Sequence, residues 1–200
     1  LRFVPALKQI RSLLEHNKGH RPLLATLTMV RRRDEEYFAD GSAWRRTAGS
    51  VFLNQGIHWL DVLNWFFGIP VNVQATSRTT RPFLSCADQT AAVIDYDDRV
   101  SVSLVGSTFG DRNHDDRFTL FSPFDMLDYQ TFRSRYDGRW MQNRWFRKIF
   151  RTRSYDAELL IHQAADFVNA IRLGNSPSTT VDDAISNMVL AHQLSANGIA

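Results

Sequence analysis

Along this chain the spacing of apolar and polar positions changes period and then changes back. Leu7, Ile10, Leu13 and Leu14 recur at helical spacing within residues 4–16, and the Asn17-Lys18-Gly19 that follows predicts the end of that helix. RPLLATLTMV (21–30) predicts a strand running out into Arg31, Arg32 and Arg33, and residues 34–47 read as a loop. GSVFLNQGIHWLDVLNWFFG (49–68) predicts one continuous helix, stopped at Gly68 with Pro70 just beyond. The period then shortens to two. VNVQATSRT (71–79), QTAAVIDY (89–96) and RVSVSLVGST (99–108) predict three strands, with Asp97-Asp98 as the turn of a hairpin; RFTLFS (117–122) and DMLDYQTF (125–132) supply two more. Helices return over 157–174 and 181–198, the second with Asp182 and Asp183 in its first turn. Helices at both ends and strands between them imply an α+β fold: an open, mainly antiparallel sheet with helices packed on one face.

The helix over 49–68 has an unusual polarity. Asn54, His58, Asp61 and Trp65, spaced 4, 3 and 4 apart, fall within a sector of roughly 60° on a helical projection. Nearly every other position is apolar or small, so the broad charged face of an ordinary surface helix is missing. A buried polar group without a partner costs several kcal/mol, so these side chains either pair inside the protein or line a cleft where a ligand satisfies them. An imidazole in such a cleft can act as general acid or base near neutral pH, and an asparagine can hold a substrate hydroxyl.

Composition narrows the field. Two hundred residues, 44% of them hydrophobic, suffice for one packed domain spanning the chain and are too few for two generous ones. Cys86 is the only cysteine, which excludes an internal disulfide framework and a closed zinc site and makes the cytoplasm the default compartment. No apolar run is long enough for a membrane span or a signal peptide, and an opening Leu1-Arg2-Phe3 without an initiator methionine reads as part of something longer. Residues 133–153 carry eight basic side chains against one acid, so the rest of the chain has a net charge near −4 (+3 less +7). No nucleic-acid motif surrounds that stretch, and nucleic acid is not an expected partner. Projected as a helix, 139–153 puts Arg144, Arg147, Lys148 and Arg151 opposite Met141, Trp145, Phe146, Ile149 and Phe150. Such a segment can pack on its own domain or on a neighbouring subunit, flank a pyrophosphate-bearing substrate, or lie on an anionic membrane surface; we favour packing.

GSVFLNQGIHWLDVLNWFFGIPVNVQA resembles the segment GG-x-x-x-D/N-x-x-x-H-x-x-D-x-x-x-W-x-x-G-x-P-x-x-V of the Gfo/Idh/MocA oxidoreductases. RFVPALKQIRSLLEHNKG resembles the helix that opens their C-terminal domain, and residues 157–198 are similar to its closing helices. The resemblance implies an N-terminal Rossmann domain that binds NAD or NADP, joined in cis or in trans to a C-terminal α/β domain, with a sugar or sugar-nucleotide substrate between them. It implies catalysis by His58 with a lysine of the Rossmann domain. Asn54 stands where an aspartate is commoner, so a carboxylate base at that position is not available. The Asn-Gln pair and VRRRDEEYFADGSAWRRT look most like the branch that oxidises UDP-N-acetylglucosaminuronate and similar sugars at the 3-hydroxyl; Arg31, Tyr37, Trp44 and Arg45 match positions near the sugar, and Asn54 and Asp61 join them as substrate ligands. Homodimers or homotetramers are the expected assembly.

The chain carries no G-x-G-x-x-G following a strand, and so no dinucleotide fingerprint of its own. Two functions compete: the substrate-side half of a dehydrogenase, inactive without its Rossmann domain, and a binding or assembly module that keeps the fold without the chemistry.

Overall fold

A computed structural model describes residues 1–16, 24–39, 43–97, 99–112, 114, 116–121, 126–131 and 155–196. The basic stretch 133–153 lies outside the described residues. Six strands form one sheet: β1 (Leu24–Val30), β2 (Asn72–Arg78), β3 (Gln89–Asp97), β4 (Val100–Ser107), β5 (Asp116–Phe121) and β6 (Met126–Thr131), in the spatial order β2-β3-β4-β1-β5-β6. Four of the five pairings are antiparallel; β1 and β4 run parallel, with Leu27 opposite Leu104.

Period-two alternation gives the sheet one wet and one dry face. Ala25, Leu27 and Met29 of β1, Ala92, Ile94 and Tyr96 of β3, Val100, Val102 and Leu104 of β4, and Phe118 and Leu120 of β5 are buried together. The intervening Thr28, Ser103, Val105 and Val93 face out. Burial pushes the Tyr96 phenol far above its ordinary range, while its hydroxyl donates to Asn64 Oδ1 at 3.1 Å. The helices that cover the dry face are α1 (Pro5–His16), α4 (Val51–Asn54), α5 (Ile57–Phe67) and α7 (Val181–Ala196). The helix α6 (Tyr155–Leu173) precedes α7 and is tethered through Asp166, which accepts from the backbone N–H and hydroxyl of Ser178 at 2.8 and 2.6 Å. The expected α+β architecture is the observed one.

Two expectations are corrected. Residues 34–47 hold two short helices, α2 (Glu35–Ala39) and α3 (Ala43–Thr47). Asp34 caps α2 by accepting from the Tyr37 N–H at 3.0 Å, and Arg45 and Arg46 of α3 donate to its Tyr37 and Phe38 carbonyls at 3.0 and 3.1 Å. Neither helix is long enough to show a hydrophobic period, which is why the pattern reads as loop. The helix over 49–68 is also broken. The Val51 carbonyl takes the N–H of both Gln55 and Gly56, and the ladder restarts with Trp59 and Leu60 on the Gly56 carbonyl. Gly56 lies so close under the Phe52 ring that a Cβ there would be 2.3 Å from Phe52 Cδ1; on the ring's other end, a Cβ at Gly106 of β4 would be 2.5 Å from Phe52 Cζ. One buried ring therefore needs two glycines, and the helix interruption is where the first of them sits.

A polar knot ties three elements. Asp116, 1% exposed at the start of β5, accepts from Arg31 Nε at 3.0 Å and from Trp59 Nε1 at 2.8 Å, and pairs again with Arg31 through Nη2. A carboxylate out of water must be compensated, and here the donors come from the end of β1 and the first turn of α5.

Gly106→Ala is expected to cost about 1–3 kcal/mol, the range for overpacking a core, read as a lower urea midpoint at unchanged m. Asp116→Asn is expected to cost about 3 kcal/mol, the low end for breaking an interior ion pair, because an amide oxygen still accepts. A change under about 0.5 kcal/mol, the range of ordinary surface substitutions, would show that this knot does not hold the fold.

Candidate functional site at the end of the parallel strand pair

β1 does not stop at Val30. The N–H groups of Arg31 and Arg33 donate to the Ser107 and Thr108 carbonyls at 2.9 and 3.0 Å, so residues 31–33 continue alongside the end of β4. This extension delivers the 31–37 segment to the α4–α5 junction. Four links join the two: Arg33 Nη2 donates to Gln55 Oε1 at 2.6 Å, Gln55 Nε2 donates to Tyr37 Oη at 2.7 Å, Tyr37 Oη donates to Asn54 Oδ1 at 3.2 Å, and the Arg31 guanidinium acts electrostatically on His58.

The polar stripe divides at this junction. Its lower half is satisfied by protein. Asp61 accepts from Arg2 Nη2 at 2.7 Å, Arg2 Nε at 2.8 Å and Asn187 Nδ2 at 2.9 Å. The guanidiniums of Arg2 and Arg11 both lie 5.9 Å from the centre of the Trp65 ring. Arg2 also meets Asp183, which with Thr180 forms a reciprocal cap at the start of α7. The upper half is open. His58 is exposed although its helix neighbours Trp59 and Leu60 are 2% and 0% exposed, and it makes no hydrogen bond among the described residues. The part of the residue that faces protein is desolvated, and this is the largest cause holding its pKa below the ordinary 6.5. Asp61 opposes this shift, and Arg31 adds to it. The imidazole is thus biased toward the neutral, proton-accepting form.

Asn54, four residues before His58, is bonded to Tyr37, and both are half-buried. The Tyr37 ring carries two cations, Arg45 at 4.4 Å and Arg33 at 4.9 Å from its centre. Trp44 is 44% exposed on α3, next to Arg45. Two hollows border this region, one lined by Asp34, Glu36, Tyr37 and Ala39, the other including Arg32, Arg33, Phe83 and Phe109. Neither is lined by His58, whose ring stands on an open surface.

Of the residues singled out from sequence, Arg31, Tyr37, Arg45, Asn54 and His58 converge on this surface. Asp61 is turned into the Arg2 network, and Trp44 lies at the periphery. Gln55, Arg33, Asp116 and Trp59 were not singled out. The Asn-Gln pair was a visible signal for Gln55; nothing local signals Asp116, which is 85 positions from Arg31.

A family model of the GFO/IDH/MocA C-terminal domain matches residues 7–122. The rhizopine catabolism protein MocA of Rhizobium meliloti is 35% identical over 81 residues, which are 40% of this chain and 24% of MocA. Among solved structures, the WlbA dehydrogenase of Bordetella pertussis in complex with NADH and UDP-GlcNAcA is similar with a TM-score of 0.74 at 17% identity, over 96% of this chain and 57% of that one. Scyllo-inositol dehydrogenase of Lactobacillus casei, with bound NAD(H) and scyllo-inositol, is similar with a TM-score of 0.67 at 19% identity, over 96% and 59%. At these identities the structural likeness establishes the fold, and the chain spans under two thirds of the length of each relative. With the matched segment running from α1 through β5, across both halves of the site described above, the chain belongs to the Gfo/Idh/MocA family of oxidoreductases and carries its C-terminal domain.

Proposed function

We propose that this chain is the substrate side of an NAD(P)-dependent oxidoreductase that acts on a hydroxyl of a sugar or nucleotide sugar, with His58 as the proton acceptor. The observation that carries the reading is the setting of His58: an imidazole biased toward the neutral form, exposed, and without a hydrogen-bond partner among the described residues, on a helix whose other side is buried. A core histidine would have its nitrogens occupied. A neutral ring nitrogen within reach of a sugar hydroxyl can take its proton as the carbinol carbon is oxidised.

Among the described residues, the connection after β1 does not fit a dinucleotide. The turn from β1 into α2 is Arg31-Arg32-Arg33-Asp34, without a glycine to let backbone approach a pyrophosphate, and α2 has five residues. We place the dinucleotide on a separate N-terminal Rossmann domain, in cis or in trans, whose nicotinamide would accept the hydride; the isolated chain is then inactive. The exposure of His58 among the described residues supports that division, since a second domain would complete the wall around a substrate. Arg31, Tyr37, Arg45 and Trp44 would surround the sugar. Asp61, its oxygens occupied, would support His58 electrostatically. A uronate-bearing nucleotide sugar is the substrate we favour, on the strength of the cations gathered around Tyr37 and the similarity to WlbA, which was solved with UDP-GlcNAcA. Assembly as a homodimer or homotetramer, and a cytoplasmic location, belong to the same proposal. Among the described residues, no helix is long and apolar enough to cross a membrane.

In a polypeptide joining this sequence to a dinucleotide-binding domain, His58→Ala is expected to lower kcat for sugar oxidation by about 10²–10⁴-fold with KM nearly unchanged. In the unsubstituted enzyme, kcat/KM should fall as pH drops through a value below 6.5, because protonation removes the acceptor; that limb should vanish in His58→Ala. Unchanged turnover in the variant would favour the alternative, a binding module without chemistry.

A further inference from the structure

Hydrogen-bond direction is fixed across the Arg33–Gln55–Asn54 cluster by one group that can only donate. Arg33 Nη2 lies 2.6 Å from Gln55 Oε1, and a guanidinium has no acceptor, so the oxygen of Gln55 must face it. The Gln55 nitrogen then faces the other way, to Tyr37 Oη at 2.7 Å and Asn54 at 3.3 Å. An amide nitrogen donates, so the Asn54 atom opposite it is Oδ1. The Tyr37 hydroxyl accepts from Gln55 and donates its own proton to the same Oδ1 at 3.2 Å. Asn54 is left with Nδ2, carrying two N–H groups and no partner among the described residues.

We infer that Arg33 and Gln55 are positioning residues that hold the Asn54 amide with its donors outward, so that the site beside His58 takes a proton-free, electron-rich substrate oxygen there. This deepens the proposed function and rests on it. The charge balance agrees within the cluster: Arg33 has no carboxylate partner among the described residues, and its buried Nε is unpaired. Asp34 and Glu36 line the neighbouring hollow, so overall charge does not decide the matter; donor direction does. Two substrate oxygens have this chemistry: a carboxylate on the sugar, and the alkoxide that develops at the reacting hydroxyl as His58 withdraws its proton. A carboxylate contact acts in the ground state, an alkoxide contact only in the transition state.

Gln55→Glu tests the inference without touching the substrate. The new carboxylate still accepts from Arg33, which preserves the fold, but it cannot donate. Asn54 then turns Nδ2 inward toward it and presents Oδ1 outward. In the full chain, ¹⁵N-edited spectra should show the Asn54 side-chain amide protons exchanging fast with water, and protected in Gln55→Glu, at an unchanged urea midpoint. UDP-glucuronate and UDP-glucose serve as charged and neutral probes, with kinetics in the enzyme joined to its dinucleotide-binding domain. If the oxygen is a carboxylate, Gln55→Glu and Asn54→Asp both weaken UDP-glucuronate binding by about 10- to 100-fold, as loss of a hydrogen bond to a charged group does, and leave UDP-glucose binding unchanged. If it is the alkoxide, both lower kcat by a similar factor at unchanged affinity. Asn54 amide protons already protected in the unsubstituted chain, or affinities and kcat unmoved in both variants, would overturn the inference. Absence of turnover in any form would instead count against the dehydrogenase reading, since the exchange measurement does not depend on it.

Discussion

A carboxylate buried to 1% exposure sets the geometry of the rest. A carboxylate in the interior needs donors, and those Asp116 has among the described residues belong to the residue after β1 and to the first turn of α5. That requirement fixes the distance between the strand end and the helix. The segment 31–37 leaves β1 at Arg31, and His58 precedes Trp59, so both halves of the site hang from the knot by one covalent step or a few. Arg31 also lowers the pKa of His58, which makes the same guanidinium a structural counter-ion on one side and an electrostatic neighbour of the imidazole on the other.

Packing adds a second constraint. Phe52 fills the space between α4 and β4 only because Gly56 and Gly106 present no side chain to it. Breaking the helix there lets Asn54 and Gln55 end one short helix while His58 begins the next. A continuous helix would carry Asn54 and His58 on one rigid face. The broken one lets Asn54 turn to Tyr37 and Gln55 to Arg33, while His58 keeps solvent access. The lower half of the stripe needed no such freedom, and Arg2, Arg11 and Asn187 close it.

How far the sequence shows this can be judged residue by residue. Strands β1 to β5 were legible because one face is dry and the period-two pattern is therefore clean; Thr28 and Ser103 on the wet side mark it as plainly as Leu27 and Leu104 on the dry side. The polar stripe was legible for the same reason at period 3.6. Short helices α2 and α3 were not, since five residues hold barely more than one turn and their ends are satisfied by Asp34, Arg45 and Arg46, whose role is visible only in three dimensions. The parallel register of β1 and β4 was hidden because it joins segments some 75 residues apart, with Leu24 opposite Ser101. Asp116 was hidden likewise: an aspartate before a strand reads as a turn residue until its partners are known.

The polarity of the site follows from these placements rather than from any one motif. Arginine at 33 is an obligate donor, and a donor facing a glutamine fixes which end of that amide is turned away; the constraint passes to Asn54 through contacts of 2.6 and 3.3 Å and reaches the surface as a pair of N–H groups. Asparagine at 54 in place of a carboxylate then ceases to be a simple loss. An aspartate held by the same Gln55 and Tyr37 donors would face outward with a second negative oxygen and repel an anionic substrate oxygen, whereas the amide attracts it. His58 and Asn54 would thus divide the work: the ring accepts the proton, and the amide steadies the oxygen that gave it up or the carboxylate that orients the sugar. Both readings of the chain, enzyme half or binding module, share the Asn54 part of this device. Only the enzyme needs His58 as a proton acceptor, and the structure exposes that residue without a hydrogen-bond partner among the described residues while desolvation holds its pKa below the ordinary 6.5.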